Sequence, residues 1–330
     1  MTRPTATPNL ADRLLLVGWA GVAVSVAFLA SALSGAVAGA SVPVLVGGSV
    51  TRSGMDVAGV ACVGLTLLGL LLPQARDLPG SALRALTGVR IAADRALVAC
   101  AGAWLVLVLL GIVFRAATTF GRPVEQLSAS EVGRWASQLA AGRGMVLTAA
   151  CVAVVLGCAV ARLRDRGLVQ VRVPLAAAVI ALITPGVTGH VGSAPDHQLA
   201  VMTIGAHVGA AALWVGGLGA VLVLVARHSL LLDGVLPRFS RLAGICIAIV
   251  AVTGVLTATI RLGSWASLVT TGYGWLVLAK SGDLLVIGLL GWLTRRRLAA
   301  RRVPVLRWAG LELALMAMTL GLAAALTQTP

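Results

Sequence analysis

Long apolar runs alternate with short arginine-bearing segments along the whole chain. A membrane-spanning helix needs about 20 mostly apolar residues, within a range of roughly 17–25. The pattern therefore predicts an all-α, polytopic transmembrane helix bundle of about nine spans. The predicted spans are residues 14–38, 57–72, 96–117, 144–161, 173–189, 200–226, 242–260, 275–294 and 308–327.

The composition agrees with a membrane protein and argues against a soluble one. Hydrophobic residues make up 59% of the chain and charged residues 11%, against about 45–50% and about 25% in globular proteins. The net charge of +15 would suit a nucleic-acid binder, but such a protein gathers its basic residues on one soluble face. Here they are spread between apolar runs, so we expect the lipid bilayer as a partner and no nucleic acid.

The arginines also predict the orientation of the spans. If the N-terminus is cytoplasmic, 19 arginines lie in inner segments and six in outer segments. This bias follows the positive-inside rule and predicts an N-in, C-out topology. The first apolar stretch, residues 14–38, exceeds the roughly 7–15 residues of a signal-peptide core, so we interpret it as a retained helix. A cleaved signal, which would leave eight spans, is the alternative.

Histidines supply the first candidate site. The chain has four, and His190, His197 and His207 all fall around the outer hairpin between the fifth and sixth predicted spans. Imidazole binds copper, zinc, iron and nickel, so three converging rings could form a metal site. Alternatively, His190 and His197 are solvated at the interface and His207 bonds a neighbouring helix. His228, at the cytoplasmic end, is interpreted as a solvated interfacial residue.

A second polar group lies in the eighth predicted span. Lys280 is the only lysine, and Asp283, three residues on, lies on nearly the same helix face. The two form either a structural ion pair or part of a path for cations. The string Gly274–Ser281 is close to a phosphate-binding loop but has Ala279 where that motif needs glycine, so we expect no nucleotide. No catalytic signature is present, so we expect no enzyme.

Three strings together resemble the copper-resistance protein D (CopD) family. The first is Thr188-Gly189-His190, and the second runs from His207 through Trp214 to Gly216-Gly217-Leu218. The third is Tyr273-Gly274 followed by Lys280. The resemblance covers about residues 185–302. It divides the chain into an N-terminal four-helix membrane region, 1–172, and a CopD-like five-helix core, 173–330.

The resemblance implies an integral plasma-membrane protein that acts in copper handling, with copper as the transported or bound ion. It carries over His190, His207 and Trp214, together with Tyr273 and Lys280. His197 lies in a variable loop and carries over more weakly. A periplasmic or extracytoplasmic copper-binding protein is an expected partner.

The leading functional hypothesis is therefore a copper permease. Copper would be captured outside by His190, His207 and His197 and would pass inward near Lys280 and Asp283, with Trp214 lining the path or packing. One alternative is a membrane cytochrome in which two histidines ligate haem b. A further alternative is a metal sensor or scaffold that binds metal without transporting it.

Overall fold

The computed structural model describes residues 42–75, 79–188 and 197–262, together with the single helical positions Thr270, Leu278, Gly282 and Leu289. The described residues form helices and contain no strand. The α-helices are α1 Val42–Leu71, α2 Gly80–Phe120, α3 Ala129–Gln138, α4 Ala140–Arg164, α5 Arg172–Val187, α6 His197–Ala220 and α7 Ser229–Leu262. A 3₁₀-helix, Val124–Gln126, precedes α3, and a π-helical turn, Val221–Val225, continues α6.

Six of the predicted spans coincide with helices. Five of these, α1, α2, α4, α6 with its π-helical turn, and α7, contain stretches long and apolar enough to cross a membrane, and α5 is a shorter apolar helix. The all-helical, membrane-spanning class is thus confirmed for this part of the chain. The predicted spans 14–38, 275–294 and 308–327 lie outside the described residues, so the total of nine and the N-in, C-out orientation stay predictions.

Large apolar side chains cover the outside of the helices. On α2, Val106 and Leu109 are more than half exposed, and on α7 the same holds for Val252 and Val255. In water such a surface would promote aggregation, whereas in a bilayer it faces lipid tails. The outward faces therefore agree with the membrane assignment.

Three helices, α1, α2 and α7, begin well before the spans predicted for them. Helix α2 has 41 residues, about 60 Å at 1.5 Å per residue, which is twice the roughly 30 Å of a bilayer core. Its first turns bury Leu86 and Val89 against Leu231 and Val235 of α7, which begins at Ser229 rather than in the membrane. Segments that their arginines marked as loops are therefore paired helical extensions.

Helix α1 lies between two hydrophobic cores. Its middle contributes Met55 and Cys62 to a core with α2, α3, α4, α5 and one residue of α6. Its second half contributes Leu67 to a core with α2, α6 and α7, in which Trp214 is buried. Each core combines residues from both of the predicted regions, 1–172 and 173–330; that division stays a prediction.

Glycines allow α1 and α6 to touch through their backbones. A β-carbon on Gly64 would fall on the carbonyl group of Gly216, and one on Gly216 would fall on the carbonyl oxygen of Val60. Close contact of this kind is typical of small residues in membrane helices. At Gly205 and Gly209 the neighbouring side chains lie at ordinary van der Waals distance, so these two glycines are not needed for close approach.

The connection between α2 and α4 contains the short helix α3, which hydropathy does not predict. Helix α2 ends at Gly121, whose φ of 62° favours glycine. Ser128 and Glu131 then form a capping box at the start of α3. Trp135 is buried and donates from Nε1 to the Thr119 hydroxyl over 2.9 Å, which fixes α3 against the end of α2.

Candidate metal site at His207

The structure describes part of the predicted site. His207 and Trp214 lie on α6, and His197 is the first residue of that helix. His190, Tyr273, Lys280 and Asp283 lie outside the described residues. Convergence of the three histidines therefore stays a prediction, and so does the pairing of Lys280 with Asp283.

His207 lies ten residues after the start of α6, about 15 Å along the helix axis at 1.5 Å per residue. It lies within the stretch Val201–Val225, which is long and apolar enough to cross a membrane. Its ring is partly buried and faces α7, because a β-carbon on Gly254 would lie 3.9 Å from His207 Cε1. This is an ordinary van der Waals distance, so the ring packs beside α7 at Gly254 without requiring glycine there.

The ring of His207 is held by a hydrogen bond to Thr253. The distance between Nδ1 and the Thr253 hydroxyl oxygen is 2.9 Å. Thr253 is buried on α7, and its hydroxyl also lies 2.6 Å from the carbonyl oxygen of Ile249. Which of the two groups donates depends on which ring nitrogen of His207 carries the proton. The bond joins His207 to a neighbouring helix, which is the alternative to metal binding stated for it from the sequence.

A metal site would use the neutral tautomer in which Nδ1–H donates to Thr253, whose hydroxyl also lies close to the carbonyl oxygen of Ile249. With the proton on Nδ1, the lone pair is on Nε2, and Nε2 is then the ring nitrogen that can bind a metal ion. Histidines that bind metals usually donate their other N–H to an oxygen in this way. The environment of His207 is therefore that of a potential metal ligand whose orientation is preset.

Thr253 is a residue that the sequence reading missed. It is a single polar position in the apolar stretch 242–260, and a threonine in a membrane helix commonly bonds only to the preceding turn of its own helix. Thr253 does bond to the preceding turn, but it also contacts a residue 46 positions earlier. No local pattern signals that second bond.

Trp214 follows His207 by seven residues, on the same face of α6. Its side chain is 5% exposed and is part of the core that includes Cys246 and Val250 of α7. Trp214 therefore packs in the core between the helices, two turns after His207 and on the same face of α6. This position is compatible with both roles considered for it from the sequence.

No group of three histidine, cysteine, aspartate or glutamate side chains comes together within ranges 42–75, 79–188 and 197–262. A complete metal site would therefore need ligands from elsewhere in the chain in addition to His207. His190 belongs to residues 189–196, which come between α5 and α6 in the sequence and lie outside the described residues.

The fold defines the class of this protein as a multi-pass helical membrane protein with a preset histidine between α6 and α7. Comparison with known protein families gives a more specific resemblance than the fold does. Residues 233–326 match the family described as Copper resistance protein D, which confirms the resemblance stated from the sequence. The match includes Thr253 and the string Tyr273–Lys280, whereas His190 and His207 precede it.

A curated relative also concerns copper. The chain is 29% identical over 157 residues to the copper transport protein CutJ of Bacillus subtilis (strain 168). The aligned part covers 45% of this chain and 29% of that relative, so the chain spans less than a third of the relative's length. No solved structure shows a significant match to the chain.

Proposed function

We propose that this protein carries copper across the plasma membrane in copper resistance or homeostasis. The family match and the name of the curated relative support a role in copper handling. The single observation that carries the site is the hydrogen bond from His207 to Thr253, which orients a ring nitrogen as a ligand inside the bundle.

In this proposal copper enters from the outer side of an N-in, C-out bundle. His207 binds it through Nε2, and His190 and His197, from the hairpin between α5 and α6, complete the site. Neutral imidazole suits copper and adds no charge to an apolar region, so the ion meets no repulsion from its ligands. The ion then passes inward through the bundle past the region of Lys280 and Asp283, with Trp214 on the same helix face as His207 lining the path. A periplasmic or extracytoplasmic copper-binding protein would deliver it.

The function is tested by copper uptake into vesicles that contain the purified full chain. The chain is reconstituted into lipid vesicles, and internal copper is measured over time after external addition, with protein-free vesicles as the control. Uptake that exceeds the control supports the permease. Bound copper without uptake would indicate a metal sensor or scaffold, and a haem Soret band in the purified protein would indicate a cytochrome.

A further inference from the structure

An open recess with four arginines lies at the predicted cytoplasmic end of the bundle. It is enclosed by the ends of α1 and α4, the extended part of α2 and the segment that leads into α5, and its volume is about 540 Å³. The arginines are Arg90, Arg162, Arg166 and Arg172. This volume lies within the roughly 300–1,000 Å³ typical of ligand sites.

Two of the arginines are fixed by one buried carboxylate. The Asp94 side chain is 6% exposed, and its two oxygens accept from Arg162 Nε at 3.2 Å and Arg166 Nε at 2.7 Å. Arg162 also donates from Nη1 to the carbonyl oxygen of Val169 at 3.1 Å. Both guanidinium groups are therefore held in position with most of their terminal N–H groups still available.

The remaining two arginines add charge that Asp94 does not balance. Arg90 donates from Nη2 to the carbonyl oxygen of Pro73 at 3.2 Å, and Arg172 makes no hydrogen bond to any described residue. Among the described residues that line the recess, none is acidic. Four guanidinium groups thus face one carboxylate, which leaves three positive charges around a single cavity.

Part of the lining of the recess is apolar. Leu70, at the end of α1, is 40% exposed, and Val171 packs on Gly69 beside it. Arginines beside apolar side chains, at the end of membrane-spanning helices, form the environment of a lipid at the boundary between its headgroup and its acyl chains. A soluble anion has no apolar group that could contact these side chains, whereas the acyl chains of a lipid do.

We propose that this recess binds a phosphate group, and that its source is the headgroup of an anionic phospholipid. Arginine forms paired N–H···O bonds with phosphate, and the prearranged Arg162 and Arg166 reduce the entropy lost on binding. The bound lipid would connect α1, α2 and α4 with the start of α5. This site lies apart from His207 and does not depend on the copper proposal.

The test compares lipid binding by the full chain and two variants by native mass spectrometry. In nonionic detergent the protein is titrated with phosphatidylglycerol, with phosphatidylcholine and with inorganic phosphate. The site variant is Arg172→Gln, because Arg172 makes no hydrogen bond or ion pair with a described residue and its loss should spare the fold. The matched control is Arg164→Gln, which removes an exposed arginine from the last turn of α4, outside the recess.

We expect phosphatidylglycerol to bind and phosphatidylcholine to bind at least tenfold more weakly. Arg172→Gln should weaken phosphatidylglycerol binding about fivefold, which corresponds to about 1 kcal/mol per arginine near a membrane surface, and Arg164→Gln should leave it unchanged. If inorganic phosphate binds as tightly as the lipid, the site holds phosphate but its source is the free anion. Equal losses in the two variants, or no preference for the anionic lipid, would overturn the proposal.

Discussion

Gly64 of α1 and Gly216 of α6 meet at a helix crossing where the two backbones touch. Neither position has room for a β-carbon, because each would overlap the main chain of the other helix. A backbone cannot move aside as a flexible side chain can, so any larger residue must separate the helices. This crossing joins α1 to the helix that carries His207, and it therefore affects the site as well as the packing.

Replacing Gly64 with alanine should destabilise the protein by about 1–3 kcal/mol, the usual cost of overpacking. The measurement is thermal or denaturant unfolding in detergent. Gly102→Ala on α2 is the matched control, since a β-carbon there meets nothing within 4 Å. The control should be neutral or slightly stabilising, because alanine favours a helix more than glycine does. A Gly64→Ala variant as stable as the control would contradict the backbone contact.

The Thr253 hydroxyl should determine how tightly copper binds. Thr253→Val keeps the shape of the side chain but removes the acceptor of the His207 N–H, and loss of such a supporting group typically costs 10- to 100-fold in metal affinity. Thr253→Ser keeps a hydroxyl and should stay within a few-fold of the parent. Competition with a copper chelator measures both variants. Equal affinities for all three proteins would show that Thr253 does not orient the ligand.

The carboxylate of Asp94 should be essential to the predicted cytoplasmic end of the bundle. Asp94→Asn leaves Arg162 and Arg166 without their buried counter-charge, and breaking a buried ion pair costs about 3–5 kcal/mol. Unfolding measurements should detect this loss easily. Asp233→Asn, at an exposed position on α7, removes the same charge and should change stability by less than about 0.5 kcal/mol. Similar small effects in both variants would contradict the structural role of Asp94.

The cap of α3 should weaken in acid. The backbone N–H and the hydroxyl of Ser128 donate to Glu131, and together with nearby arginines they lower the pKa of that carboxyl below its ordinary value. The stabilising effect is thus complete above the ordinary glutamate pKa and is lost as the pH falls through the lowered value. Hydrogen exchange of residues 129–138, corrected for intrinsic rates, should increase in that acid range. In Glu131→Gln this added pH dependence should vanish; its persistence would assign it to another group.

Hydropathy predicted the six described spans because the bilayer sets both the length and the polarity of a crossing helix. It could not predict how far the helices continue. Arginines along residues 80–95 lower the mean hydropathy of that segment, although Leu86 and Val89 bury one of its faces against α7. Such a segment resembles a loop until its packing partner, 140 or more residues later, is known.

The sequence likewise predicted only part of the candidate site. His207 could be selected because an ionisable residue within a membrane span is rare and costly. Its partner Thr253 could not, because the hydrogen bond joins two helices that are far apart in the chain. The same holds for Asp94, which meets arginines 68 and 72 residues later. Those arginines were predicted only as markers of orientation.

Copper uptake by vesicles that contain the His207→Ala chain tests the central claim most directly. His228→Ala is the matched control, since it removes the other histidine whose side chain the structure describes, in the connection just before α7. Both variants should elute and unfold like the parent. We predict that His207→Ala falls to the rate of protein-free vesicles while His228→Ala transports like the parent. Parental uptake by His207→Ala would contradict the proposed site.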